Sequence, residues 1–191
     1  LLTRCGVGAR TESGYPGESE GSIIKVKEAN PFVLATLSFG YGLSVTTLQL
    51  AKMYSIFANE GQLKPVRLLH YPEKDESIPV IDPVISNQVL SLLESVVTQG
   101  TGVSARVPGY RVAGKTGTAR IAGKNGYGEK RYIGSFVGLA PVSNPRLVVA
   151  VVIHEPSKMG YYGAQVAGPL FSKVMSASLR ILDIQPDEPL T

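Results

Sequence analysis

An α+β fold, an antiparallel β-sheet flanked by helices, is what this sequence predicts, and three observations carry the prediction. Apolar residues recur at helical spacing after Thr46, after Asp82 and again after Pro169. Between the second and third of these stretches lie three β-rich runs, YRVAGKTGTAR, YIGSFVGLAPV and RLVVAVVIHE. The turn-like GKNGYGEK and SNP separate them, and connections this short favour antiparallel neighbours, because a parallel pair needs a long crossover.

Taken in order, residues 1–31 are rich in Gly, Ser, Glu and Pro and are expected as surface loop. From Thr46 the positions Leu50, Met53, Tyr54 and Phe57 mark a helix that Gly61 stops. KPVRLLHYPEKDESIPVID reads as a short strand or two around a polar turn. Asp82-Pro83 then combines a capping acceptor with a proline in the first helical turn. Ile85, Val89, Leu92, Leu93 and Val96 are expected on one face of that helix, and QGTG ends it. After the three strands, Leu170, Phe171, Val174 and Ile181 mark an amphipathic last helix with Pro169 in its first turn. No repeat or linker divides residues 1–191, so they are expected to form part of one domain.

Composition narrows the chemistry. The 191 residues are 43% hydrophobic and 18% charged, with Lys and Arg exceeding Asp and Glu by 19 to 15 for a net charge of +4. So small a surplus, with no basic run interleaved with aromatics, argues against nucleic acid as a partner. Cys5 is the only cysteine, which excludes an intrachain disulfide, and His70 and His154 lie too far apart for metal-ligand spacing. No apolar run reaches the roughly 18 residues of a membrane span. With neither an initiator Met nor a signal peptide, the chain is expected to be the C-terminal part of something longer.

One stretch fits two chemistries. GYRVAGKT, from Gly109, matches the G-x-x-x-x-G-K-[ST] of a phosphate-cradling loop, whereas KTGT, from Lys115, matches the K-T-G of penicillin-interacting serine enzymes. A phosphate loop needs a helix directly after Lys-Thr so that its N-terminus points at the anion. Here Gly117 and Thr118 follow, both poor helix starters. Val112, Gly114, Thr116 and Thr118 alternate with Arg111, Ala113, Lys115 and Gly117, which is the period of a strand. A nucleotide hydrolase is therefore the remote alternative. On a strand bordering an acyl-transfer site, Lys115 supplies a positive charge for a carboxylate and biases proton transfer. Thr116 and Thr118 add hydroxyls, and Gly117 lets a ligand backbone lie against the strand.

Four blocks extend the match: residues 38–61 (SFGYGLSVTTLQLAKMYSIFANEG), 109–120 (GYRVAGKTGTAR), 132–156 (YIGSFVGLAPVSNPRLVVAVVIHEP) and 161–184 (YYGAQVAGPLFSKVMSASLRILDI). Together they resemble the transpeptidase domain of class B penicillin-binding proteins, above all the division-specific septal ones of Gram-negative bacteria. The resemblance implies a serine D,D-transpeptidase that cross-links peptidoglycan stem peptides and is acylated by β-lactam antibiotics, without a cofactor or metal. It further implies a five-stranded sheet, a place on the periplasmic face of the inner membrane, and divisome membrane proteins as partners. A non-catalytic penicillin-binding sensor or scaffold is the alternative.

Carried onto this sequence, the resemblance makes Lys115 a catalytic residue and puts Lys115, Thr116, Gly117, Thr118 and Arg120 around a ligand carboxylate. It sets Tyr161 and Tyr162 beside ligand side chains, and Phe39-Gly40-Tyr41-Gly42 reads as scaffold. The family's S-x-x-K nucleophile motif and S-x-N motif are not matched. The one S-x-x-K, SIIK at Ser22, lies in polar surroundings and is read as loop. The fragment alone is therefore expected to be inactive, and its incomplete sheet to favour low solubility or oligomerisation.

Overall fold

The computed structural model describes residues 1–24, 30–69, 76–121, 130–158 and 160–188. After an irregular start, strand β1 (Ser22–Ile23) pairs antiparallel with β2 (Leu43–Ser44), and helix α1 (Pro31–Leu37) lies between them in sequence. Helix α2 (Thr47–Ala58) leads into the small hairpin of β3 (Gln62–Leu63) and β4 (Ile78–Pro79). Its intervening residues 70–75, His70 included, lie outside the described residues. Helix α3 (Pro83–Thr98) and a tight turn at Val103–Ala105 precede strands β5 (Ala113–Arg120), β6 (Tyr132–Ala140) and β7 (Leu147–His154). Helices α4 (Gly163–Val166) and α5 (Gly168–Ile181) follow. Residues 122–129, most of the GKNGYGEK segment, lie outside the described residues.

The helix starts form where the local chemistry calls for them. Thr46 Oγ1 accepts the Gln49 amide at 3.1 Å while Gln49 Oε1 accepts the Thr46 amide at 2.8 Å, a reciprocal capping box. Asp82 accepts the Val84 amide at 2.9 Å, and Pro83 occupies the first turn of α3. The helix faces differ from the expected ones. In α3 the buried residues are Ser86, Leu90 and Val97, whereas Ile85 is 49% and Leu92 66% exposed. In α5 the buried positions include Phe171, Met175 and Leu179, while Leu170, Val174 and Ile181 are exposed. Apolar residues cover more than one side of both helices, so periodicity alone left the inward side about one residue, or 100°, out of place.

The three long strands form a meander in the order β5-β6-β7, antiparallel throughout. Registers Thr116↔Phe136↔Val151 and Ala113↔Leu139↔Val148 set its two faces. On one face Phe136 meets Phe171 of α5, ring centroids 4.6 Å apart, in a core that includes Val112, Val151, Met175 and Leu179. On the other, Ala113 and Leu139 pack with Leu90 and Leu93 of α3 and Phe57 of α2. The rings fit because Gly114 and Gly138 lie beside them: a Cβ at Gly114 would come 2.7 Å from Phe136 Cζ.

Of residues 1–31, expected as surface loop, 1–21 form no strand or helix, whereas Ser22–Ile23 form β1 and α1 begins at Pro31; nor are residues 1–21 merely surface. Cys5 joins Ile56, Leu63 and Val80 in a small core, and burial raises its thiol pKa. Gln49 ties the same stretch down, donating from Nε2 to the carbonyls of Ala9 (2.7 Å) and Glu20 (2.8 Å). Among the described residues no helix is long and apolar enough to cross a membrane.

Candidate active site

KTGT occupies the middle of β5, an edge strand of the meander. The strand's start is clamped from two sides. Arg111 makes a two-pronged ion pair with Glu94 of α3 at 2.7 and 2.8 Å, and Asp187 accepts the backbone amides of Arg111 and Ser143 at 2.7 and 3.0 Å. The Glu94 carboxylate, foremost by hydrogen bonding, raises the Arg111 pKa further. A strand gripped on both sides in this way presents its side chains in a fixed register.

Register then sorts the expected site residues. Thr116, Thr118 and Arg120 lie opposite Phe136, Gly134 and Tyr132, all on the α5 side of the sheet. Lys115 and Gly117 lie opposite Val137 and Ser135, on the other side. The exposed Lys115 side chain nonetheless curls back over its own strand, donating from Nζ to the Thr116 carbonyl at 3.1 Å and reaching Thr116 Oγ1 at 3.5 Å. Ammonium and hydroxyl thus stand together at the sheet edge. The Thr116 hydroxyl also pairs with that of Thr101 at 3.0 Å. A Cβ at Gly117 would fall on Ser135 Oγ, so the sheet itself favours glycine there.

Thr118 is engaged from the other direction: its Oγ1 accepts the Gly163 amide at 3.0 Å. That bond links β5 to the segment bearing Tyr161 and Tyr162. Tyr161 stacks on Tyr132 with centroids 4.1 Å apart and planes 17° from parallel, and Tyr162 leans on Tyr161 at 4.4 Å. The Tyr161 hydroxyl donates to that of Tyr162 at 3.1 Å, and this bond leads the causes that raise the Tyr161 pKa. The structure therefore brings the expected Tyr161 and Tyr162 beside the end of β5 that carries Arg120.

Sequence reasoning missed Thr101, Tyr132 and Gly163. Thr101 sits in the QGTG read as a helix stop, and Tyr132 begins the β-rich run YIGSFVGLAPV. The register Arg120↔Tyr132 is what brings Tyr132 to the site, and no local pattern announces it.

The phosphate-loop reading finds no footing. Lys115 and Thr116 are followed by four more residues of unbroken strand, through Arg120, rather than by a helix. No group of three or more potential metal-binding His, Cys, Asp or Glu exists among the described residues. Ser22 of SIIK, expected in a loop, lies instead on β1 because it pairs with Ser44 of β2, their hydroxyls 3.1 Å apart; Lys25 lies outside the described residues. A cavity of about 510 Å³ opens beyond the end of β7, lined by Ile153, His154, Lys158, Leu170 and Lys173 among others, and touches no residue of KTGT.

The penicillin binding protein transpeptidase domain matches residues 1–176. The chain belongs to that family. The family read from the four sequence blocks is thus the family found. Among similar proteins, the probable peptidoglycan D,D-transpeptidase PbpC of Pseudomonas aeruginosa is 46% identical over 187 residues, covering 97% of this chain and 33% of PbpC. The peptidoglycan D,D-transpeptidase FtsI of Escherichia coli K12 is 38% identical over 186 residues, covering 97% of this chain and 32% of FtsI. The apo transpeptidase domain of Burkholderia pseudomallei penicillin-binding protein 3 superposes with a TM-score of 0.91 at 42% identity, covering 98% of this chain and 58% of that one. The chain spans about a third of the length of PbpC and FtsI. Its helices and antiparallel meander are those of the family fold.

Proposed function

We propose that this chain supplies the KTGT wall of a serine-type peptidoglycan D,D-transpeptidase, a division-specific class B penicillin-binding protein acting on stem peptides and acylated by β-lactams. One observation carries the reading: an edge strand presents a lysine ammonium, two threonine hydroxyls and an arginine beside a tyrosine stack, in a chain of the transpeptidase family. Donors so grouped suit a carboxylate, the terminal group of a stem peptide and the anion of a penicillin. An extended peptide could add to the edge of β5 as a further strand, with its side chain against Tyr161 and Tyr162.

In this reading the nucleophilic serine comes from sequence beyond these residues. Its oxygen attacks the amide carbonyl before the terminal D-alanine, an acyl-enzyme forms as that residue leaves with a proton, and an amine of a second stem completes the cross-link. A backbone N–H of β5 helps hold the oxyanion, and Lys115 keeps positive charge beside the proton transfers. The site faces the periplasm at the inner membrane of a Gram-negative bacterium, where divisome membrane proteins are the partners.

The test is labelling with a fluorescent penicillin, read by mass spectrometry. Full-length protein is expected to take one adduct per chain outside residues 1–191, and Lys115→Ala to slow labelling by roughly 100-fold. The 191-residue chain alone should stay unlabelled, and an adduct on Ser22 would overturn that expectation. A full-length protein that never labels would overturn this reading, and one that labels but forms no cross-links would favour the non-catalytic penicillin-binding sensor or scaffold.

A further inference from the structure

The geometry points to Thr118 as a positioning residue for the tyrosine wall, besides its place among the anion-binding hydroxyls; the proposal rests on the reading of β5 just given. Thr118 Oγ1 receives the Gly163 N–H at 3.0 Å. A hydroxyl that has accepted one hydrogen bond still owns its proton, so Thr118 can hold the wall segment and donate to an anion at the same time. This side chain therefore joins the two halves of the site.

Close packing makes the link specific. A Cβ built on Gly163 would run onto the carbonyl oxygens of Gly117 and Ser135 and come within 3.1 Å of the Ser135 amide nitrogen. Opposite Thr118 in the register is Gly134, where a Cβ would come 2.5 Å from Val166 Cγ2 and 3.2 Å from the Tyr161 carbonyl. Two side-chain-free positions thus let the segment from Tyr161 to Val166 lie directly on β5 and β6. Held there, Tyr161 meets Tyr132 on β6 and carries Tyr162 with it. If Thr118 loses its acceptor, the Gly163 amide loses its partner, and the tyrosines shift although neither has been altered.

The test uses full-length protein with 3-fluorotyrosine placed singly at position 161 or 162, read by fluorine NMR without ligand. Thr118→Val keeps the shape and removes the acceptor, and is expected to move or broaden both resonances. Thr118→Ser should restore their positions. Gly163→Ala, which keeps the Thr118 hydroxyl but lifts the segment, should disturb them in the same way. Unmoved resonances in Thr118→Val would overturn the proposal. In parallel, fluorescent-penicillin labelling of Thr118→Val should slow on the order of 10- to 100-fold. Moved resonances with unchanged labelling would leave the positioning role standing and sink the anion-binding reading of β5. Slowed labelling with unmoved resonances would do the reverse.

Discussion

Phe136, Phe171, Met175 and Leu179 are wholly shielded from solvent around the β5–β7 meander. Helix α1, at the other end of the chain, buries no residue, with Phe32 76% exposed and Phe39 just beyond it 67% exposed. The first region is held by apolar area, which acts in all directions and couples every neighbour. Residues 9–21, which precede α1, are tied by directional contacts: the Gln49 amide to Ala9 and Glu20, and the Glu18 carboxylate to the Thr11 amide at 2.8 Å. Damage to the meander core should therefore unfold the body as a unit. Damage to a polar tie should release one segment and leave the rest.

The largest effect is expected in the meander core. Phe171→Ala removes a fully buried ring that packs on Phe136 and should cost about 3–5 kcal/mol, as large-to-small changes in rigid cores do. Denaturant titration should show a lower midpoint with a single transition for far-UV circular dichroism and tyrosine fluorescence. Separate transitions for the two probes would break the contrast, because the body would then not unfold as one.

A smaller and more local effect is expected at the polar tie. Gln49→Ala deletes two hydrogen bonds to loop carbonyls and half of the α2 capping box, at about 1–3 kcal/mol in all. Residues 9–21 should become sensitive to limited proteolysis and the buried Cys5 thiol quicker to react with a disulfide reagent. The denaturation midpoint should fall much less than in Phe171→Ala. An equal fall would mean that the N-terminal segment and the meander share one cooperative unit.

What could be read from the sequence follows the same division. Strand β5 was legible because its alternation spans eight residues, and the start of α3 was legible because its cap is local, Asp82 with Pro83. The four residues of KTGT were legible for the same reason. The inward faces of α3 and α5 were not, since the choice between Ile85 and Ser86, or between Leu170 and Phe171, depends on which partner helix or sheet arrives. Gln49 is buried because carbonyls 29 and 40 residues away converge on it, which no local pattern announces. The tyrosine wall needed the β5–β6 register and a hydrogen bond spanning 45 residues. Contacts closed within one turn or strand leave a pattern in the sequence, and those closed by topology do not.

The smallest effect sharpens the polar side of the contrast through pH. Hydrogen bonds from Thr11, aided by Ser13, hold the Glu18 carboxyl below its ordinary value of 4.5. The sign follows from linkage: a carboxyl whose folded pKa is depressed stabilises the fold above its ordinary value. That contribution is lost as pH falls through the lowered folded value. Glu18 should thus leave loop order untouched from neutral pH down to the ordinary carboxylate range and loosen it only below. The amide proton shift of Thr11, followed by NMR across an acid titration, should move with a midpoint below 4.5, while Glu18→Gln should show a flat trace. A midpoint at or above the ordinary value would mean that the Thr11–Glu18 bond is not formed in solution. Residues 11–18 would then be held by the Gln49 bonds that flank them and by Lys52, whose Nζ donates to the Thr11 carbonyl at 3.4 Å.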